Sequence, residues 1–109
     1  MQVTLTTVGR RTGRARPVTL YGWPDGDGVV VVGSRGGTSV DPGWAWNLRA
    51  HPRGELRIGK QERAVVAREV GGSERERLWA MVCEAFPMYA SYQRRTERVI
   101  PLFVLEPVA

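Results

Sequence analysis

The stretch Arg16–Ser34, RPVTLYGWPDGDGVVVVGS, decides the fold. A segment rich in β-branched and aromatic residues is followed by a short apolar run closed by glycines. Between them PDGDG is a turn signal, because Asp-Gly supplies the positive φ that tight hairpin turns require. The stretch therefore reads as a β-hairpin. On its N-terminal side VTLTTVG (3–9) alternates with the period of a strand, and GRRTGRARP (9–17) is the loop joining that strand to the hairpin.

On the C-terminal side come a loop, RGGTSVDPGW (35–44), and a short helix in WAWNLRAHP (44–52). Pro52 stops that helix, since proline disfavours helical backbone in the residue before it. ELRIG (55–59), ERAVVARE (62–69) and IPLFVLE (100–106) are three further strands. Ser73 and Glu76 form a capping-box signature, and Leu78, Trp79, Val82, Ala85 and Phe86 fall on one face of a helix ending at Pro87. A second helix from Pro87 sets Tyr89, Tyr92, Gln93 and Thr96 on one stripe. Six strands with two late helices predict an α+β fold. It is a small antiparallel barrel with helices beside it, one domain over residues 1–109 without repeats or linkers.

Composition supports a single core: the chain has 109 residues, 42% of them apolar, too few for a second. The net charge of +5 is uneven. Residues 1–57 hold eight arginines against four acids, and residues 58–109 hold eight basic residues against seven acids. Fifteen of the sixteen basic residues are arginine, whose planar fork favours bidentate anion contacts over the point charge of lysine. Cys83 is the single cysteine and reads as a small core residue. It offers no disulfide framework, and a reducing cytosol is the natural compartment. No run approaches the roughly 20 apolar residues of a membrane span, and the N-terminus lacks the apolar segment of a secretory signal. His51, the only histidine, has no second ligand nearby in sequence, so it is assigned to packing or capping and no metal is expected.

The loop GRRTGRARP, with no acid in the chain before Asp25, is either a solvated basic hairpin or a site for an anion. Glycines let backbone N–H groups approach it and arginines add charge-assisted bonds. Nucleic acid, a phosphorylated small molecule and bulk solvent all satisfy that pattern. GSRGG (33–37) is a second glycine-rich loop with one arginine at a strand end. Trp44 and Trp46 could flank a planar ring and Asn47 could read its heteroatoms, while Tyr21, Tyr89 and Tyr92 could donate hydrogen bonds to a substrate. As bare patterns, the same residues equally describe ordinary turns and core aromatics.

Taken together, LTTVGRRTGRARPVTLY (5–21), GSRGG, WAWNLRAHP and YASYQRRTERVIP (89–101) occur in the order seen in one family. The chain resembles the deazaflavin-dependent nitroreductase family, split-barrel oxidoreductases that use coenzyme F-420, from about Leu5 to Pro107. The resemblance implies a split β-barrel and hydride transfer from the reduced deazaflavin to a small organic acceptor such as a quinone, a nitroaromatic or an activated alkene. It assigns the cofactor's phosphate and glutamyl tail to Arg10, Arg11, Thr12, Arg16 and Arg35. The ring wall falls on Pro17, Val18, Thr19, Leu20 and Tyr21, on Val32, Gly33 and Ser34, and on Gly43, Trp44, Ala45, Trp46 and Asn47. Tyr89 closes the pocket, and Tyr21, Ser34, Tyr89 and Tyr92 face the acceptor as the catalytic set. The family's N-terminal helical segment is absent before the first strand, its ANP reads AHP at Ala50–Pro52, and Phe86 occupies a position that can be tyrosine. These departures touch acceptor preference more than cofactor choice. An FMN-binding split barrel, a non-catalytic deazaflavin carrier and a basic nucleic-acid-binding module are the alternatives. The expected protein is cytoplasmic, a monomer or homodimer, with a small-molecule acceptor, no nucleic acid and no stable membrane insertion.

Overall fold

The computed structural model describes residues 1–108; Ala109, the last residue of the expected domain, lies outside the described residues. Six antiparallel strands close into a barrel: β1 (Gln2–Val8), β2 (Ala15–Asp25), β3 (Gly28–Val32), β4 (Arg53–Ile58), β5 (Gln61–Glu69) and β6 (Leu102–Pro107). Their order around the barrel is β1-β2-β3-β6-β5-β4, with β4 returning to β1. Three helices accompany them: α1 (Gly43–Ala50), α2 (Gly72–Ala85) and α3 (Met88–Arg94). A short 3-10 turn, Arg35–Gly37, follows β3.

The two apolar runs explain the layering. Val29 and Val31 of β3 and Phe103 and Leu105 of β6 point into the barrel with Val3, Leu5, Leu56 and Val65. Val30 and Val32, with Leu102 and Val104, point outward and meet Leu78 and Val82 of α2 and Tyr89 of α3. Strands buried on both faces lose the alternation that β1 keeps, so the sequence reads as a continuous apolar run there. Each buried valine or leucine contributes about 1.5–3 kcal/mol, which fixes α2 and α3 on one side of the barrel. The long strand β2 pairs with β1 over Ala15–Tyr21 and with β3 only from Gly22 to Asp25. Gly22 marks the changeover, where a Cβ would meet Val29 Cγ1 at 2.5 Å. N-terminal to Gly22, β2 has no pairing with β3, and this split opens the barrel wall.

The hairpin turn forms as expected, with Gly26 at φ +58° between Asp25 and Gly28. The capping box does not. Gly71 and Gly72 make the entry to α2, Gly72 at φ +58°, so Ser73 lies within the helix and the N-cap carries no side-chain bond. Glu74 supplies the first-turn negative charge that favours a helix N-terminus and pairs with Arg68. On the α2 face, Leu78 and Val82 are buried and Trp79 packs against them, whereas Ala85 is exposed and Phe86 caps the helix at the surface. Thr96 lies past the end of α3 and so leaves its stripe. His51 is the C-cap of α1, its backbone N–H donating to the Asn47 carbonyl, and Cys83 packs half-buried against the outer cluster.

Candidate functional site

The loop between β1 and β2 is shaped by two glycines. Gly13 sits at φ +71°, and a Cβ on Gly9 would meet Thr12 Oγ1 at 2.8 Å and Arg16 Nε at 3.3 Å. The loop is fastened to α1 through Asn47, which is buried. Asn47 Oδ1 accepts from the Arg10 backbone N–H at 3.1 Å and from its guanidinium at 2.9 Å, while Nδ2 donates to Thr7 Oγ1 at 3.0 Å. Three of the amide's bonding positions are therefore spent on protein partners. Asn47 acts as a clamp here, and the reading of it as a reader of ring heteroatoms loses its support. Thr7 was missed as a site residue, although the alternation of β1 points it inward.

Beside this clamp lies a cavity of about 460 Å³ lined by Arg10, Arg11, Thr12, Arg16, Pro17, Val18, Gly43, Trp44 and Asn47, with Thr7 and Gly9 behind them. Among the described residues no carboxylate lines it. Arg16 reaches Thr12 Oγ1 at 3.4 Å. Among the described residues none of Arg10, Arg11, Arg14, Arg16 or Arg35 is in an ion pair. Five guanidinium groups thus stand without a protein counter-ion, and three of them line one concave surface. Charges arranged this way focus an attractive field on an anion.

A second cavity, about 380 Å³, adjoins the first across Val18 and Trp44 and lies in the split between β2 and β3. Its walls are Val18, Thr19, Leu20 and Tyr21 on one side and Val32, Ser34, Arg35, Pro42 and Tyr89 on the other. A third, about 340 Å³, follows across Tyr21 and Tyr89 and is lined by Tyr21, Trp23, Phe86 and Tyr89. The groove runs from a cationic end, through a mixed middle, to an aromatic end.

The loop after β3 is held by a residue the sequence reading passed over. Arg98, largely buried, donates to the carbonyls of Gly33 at 3.2 Å, Ser34 at 2.7 Å and Thr38 at 2.8 Å, and pairs with Asp41 at 2.7 Å. This clamp holds Arg35 at φ +44°, the one non-glycine residue with positive φ among those described. Gly37 lets the loop touch α3: a Cβ there would meet the Tyr92 carbonyl oxygen at 2.7 Å.

Four of the expected site residues are not brought to the groove. Ala45 is in the barrel interior. Trp46 is half exposed with the Arg49 guanidinium 4.7 Å from its ring centre. Gly33 is a buried backbone contact whose N–H donates to the Pro101 carbonyl. Tyr92 packs against the outer cluster beside Phe86, with Arg95 over its ring. Tyr89 is buried, and its hydroxyl accepts from Trp23 Nε1 at 3.3 Å. Burial pushes its phenol above the ordinary tyrosine value, partly offset by that bond.

The family model described as F420H(2)-dependent quinone reductase matches residues 1–107. An F420H(2)-dependent quinone reductase of Mycobacterium tuberculosis is 38% identical over 104 residues, which is 93% of this chain and 70% of that one. The solved structure of an F420-H2 dependent reductase, FDR-A, superposes with a TM-score of 0.88 at 37% identity, covering 96% of this chain and 93% of that chain. A domain-swapped dimer structure gives the same TM-score and identity over 96% of this chain and 79% of its own.

Proposed function

The chain belongs to the F420H(2)-dependent quinone reductase family, and from that premise we propose that its groove holds reduced coenzyme F-420 by its anionic tail and delivers a hydride to a quinone at the aromatic end. The observation that carries this reading is the cavity with three arginines and, among the described residues, no carboxylate, joined through the middle cavity to an aromatic cavity about 340 Å³ in volume. The donor set fits the group. Guanidinium forks and a threonine hydroxyl suit phosphate and carboxylate oxygens, and nothing lies within 4 Å of a Cβ built on Gly43, so the groove floor is open there.

When bound, the deazaflavin supplies the hydride. The chain's own residues do the rest. Arg11 and Arg16 bind the tail, and Arg10, partly engaged by Asn47, stiffens the loop that presents them. Val18 and Trp44, shared by the two cavities, form the floor and wall for the planar ring, and Ser34 and Arg35 rim it from the Arg98-clamped loop. Tyr21 and Tyr89 line the passage to the acceptor and exclude water from it. Tyr92 bears on the acceptor only through its packing on Phe86. The protein works in the cytoplasm, as a monomer or homodimer. No helix among the described residues is long and apolar enough to cross a membrane.

The test is to mix the protein with reduced coenzyme F-420 and a quinone and follow the return of the oxidised cofactor's absorbance. Turnover is expected with quinone. Tight cofactor binding without turnover on quinone, nitroaromatic or activated-alkene acceptors would leave a carrier, and tighter binding of FMN would reassign the cofactor.

A further inference from the structure

Trp23 was not among the expected site residues, and nothing in the cofactor reading uses it. It lies two residues after Tyr21 on the same face of β2, and the two rings stack with centroids 6.0 Å apart. Its indole meets Tyr89 edge-on at 6.4 Å, and Nε1 lies 3.3 Å from the Tyr89 hydroxyl. Both rings line the aromatic cavity.

An indole N–H only donates, whereas a phenol carries one proton and accepts as well. The Tyr89 hydroxyl is therefore the acceptor in this bond, and its own proton is committed to no partner among the described residues. Trp79 and Phe86, which pack against the Tyr89 ring at centroid distances of 6.5 and 4.8 Å, place no acceptor at its tip. We infer that Trp23 is a positioning residue: by occupying the acceptor side of the Tyr89 hydroxyl it aims that hydroxyl's proton into the aromatic cavity.

This rests on the quinone reading above and adds a direction to it. Hydride arriving at a quinone carbonyl oxygen, with the ring's electrons shifting to the second oxygen, leaves that second oxygen negative. A hydrogen bond from Tyr89 stabilises the charge as it forms, and one proton from water then completes the hydroquinone. A donor fixed before the reaction needs no reorganisation at that moment. A hydroxyl free to rotate would spend part of its time accepting from solvent.

Two measurements test the inference. In the protein without cofactor, Tyr89→Phe keeps the ring and removes the acceptor, so one of the four tryptophan indole N–H resonances should move upfield in the proton NMR spectrum. This readout does not require any Trp23 variant to fold. In quinone turnover, Trp23→Phe should lower kcat about fivefold, the size of one neutral hydrogen bond. In a Tyr89→Phe background the same change should cost less than about twofold, because the group it acts through is gone. An unmoved set of indole resonances, or equal losses in both backgrounds, overturns the inference. If the wild-type protein does not turn over quinone, the acceptor reading fails and this role fails with it. An indole shift in that case shows that the bond is present and that the failure lies in the reading.

Discussion

Two arginine-rich regions of this molecule have opposite electrostatics. Outside the β1–β2 loop, Arg68 bridges Glu74 and Glu106, Arg77 meets Asp25, and Arg49 meets Asp41 and Glu69. There arginine ties strands and helices to one another. Around the β1–β2 loop, Arg10, Arg11, Arg14 and Arg16 are in no ion pair among the described residues; the Arg10 guanidinium donates to Asn47 and Gly43, and that of Arg16 to Thr12. The residue type is the same, and the presence of a local carboxylate separates a structural cation from one left for a ligand. Breaking members of each set measures how real that division is.

The largest effect is expected at Arg98, which belongs to the first set by its Asp41 pair and to the second by what it holds in place. Arg98→Met leaves the Gly33 and Thr38 carbonyls and part of Asp41 without a donor in a largely buried position, while the Ser34 carbonyl keeps only the Gly37 N–H. Removing one partner of a buried pair costs about 3–5 kcal/mol. Chemical denaturation should show a loss of that size, and cofactor affinity should fall too as the Ser34–Arg35 loop loosens.

Next come the unpaired cations. Arg11→Ala and Arg16→Ala each remove a charge-assisted hydrogen bond worth about 1.5–3 kcal/mol, so the cofactor Kd should rise about tenfold or more, with a shallower dependence on salt. Thermal stability should not fall, since neither guanidinium bonds a carboxylate. Unchanged affinity in both variants would remove the loop from the site.

The same division explains what the sequence revealed. The barrel was legible because β1 alternates, β3 and β6 are apolar on both faces, and glycines punctuate the turns, all of which are local signals. The cationic β1–β2 loop was legible because an acid-free run of arginines stands out in sequence, although the run alone does not name its ligand. Arg98 was not legible: it lies in YASYQRRTERVIP beside Arg94 and Arg95, and only the fold shows that it alone turns inward to three carbonyls far away in sequence. Asn47 was seen as polar and near the site, but its duty depends on Thr7 and Arg10, forty and thirty-seven residues distant. Trp46 looked like Trp44 in sequence. One helical step of about 100° per residue puts two residues two apart on different faces, so one ring lines the groove and the other meets Arg49.

Arg35 offers an effect of opposite sign. Its φ of +44° is unfavourable for a residue with a side chain, costing about 1–2 kcal/mol. Glycine adopts it freely but gives back part of the gain as chain entropy. Arg35→Gly should therefore raise stability by up to about 1 kcal/mol, while weakening cofactor binding less than Arg11→Ala, because Arg35 lines the second cavity and not the first. A variant that loses stability would show that the arginine makes a contact the bond pattern does not contain.

The smallest effect belongs to the paired surface and appears only in acid. Arg77 holds the Asp25 carboxyl below its ordinary value by direct hydrogen bonding. It also helps hold Glu74 down, where Arg68 is the main cause and Asp25 pulls the other way. A carboxylate whose value is lowered on folding binds fewer protons in the native state than in the unfolded chain. Stability therefore rises with pH across the interval between the two values, is fully present above the unfolded one and is lost as pH falls through the folded one. For these groups the interval lies below about pH 5. Denaturation midpoints measured from about pH 6 down to about pH 2 should fall less steeply in Asp25→Asn than in the wild type. Arg77→Ala should flatten the acid limb more than Asp25→Asn does, because it releases Glu74 as well, while removal of Asp25 lets Glu74 sit lower still. At neutral pH both variants should bind cofactor as the wild type does. A change in cofactor affinity in either one would show that the two arginine sets are not electrostatically separate, and would undo the division from which the tail site was drawn.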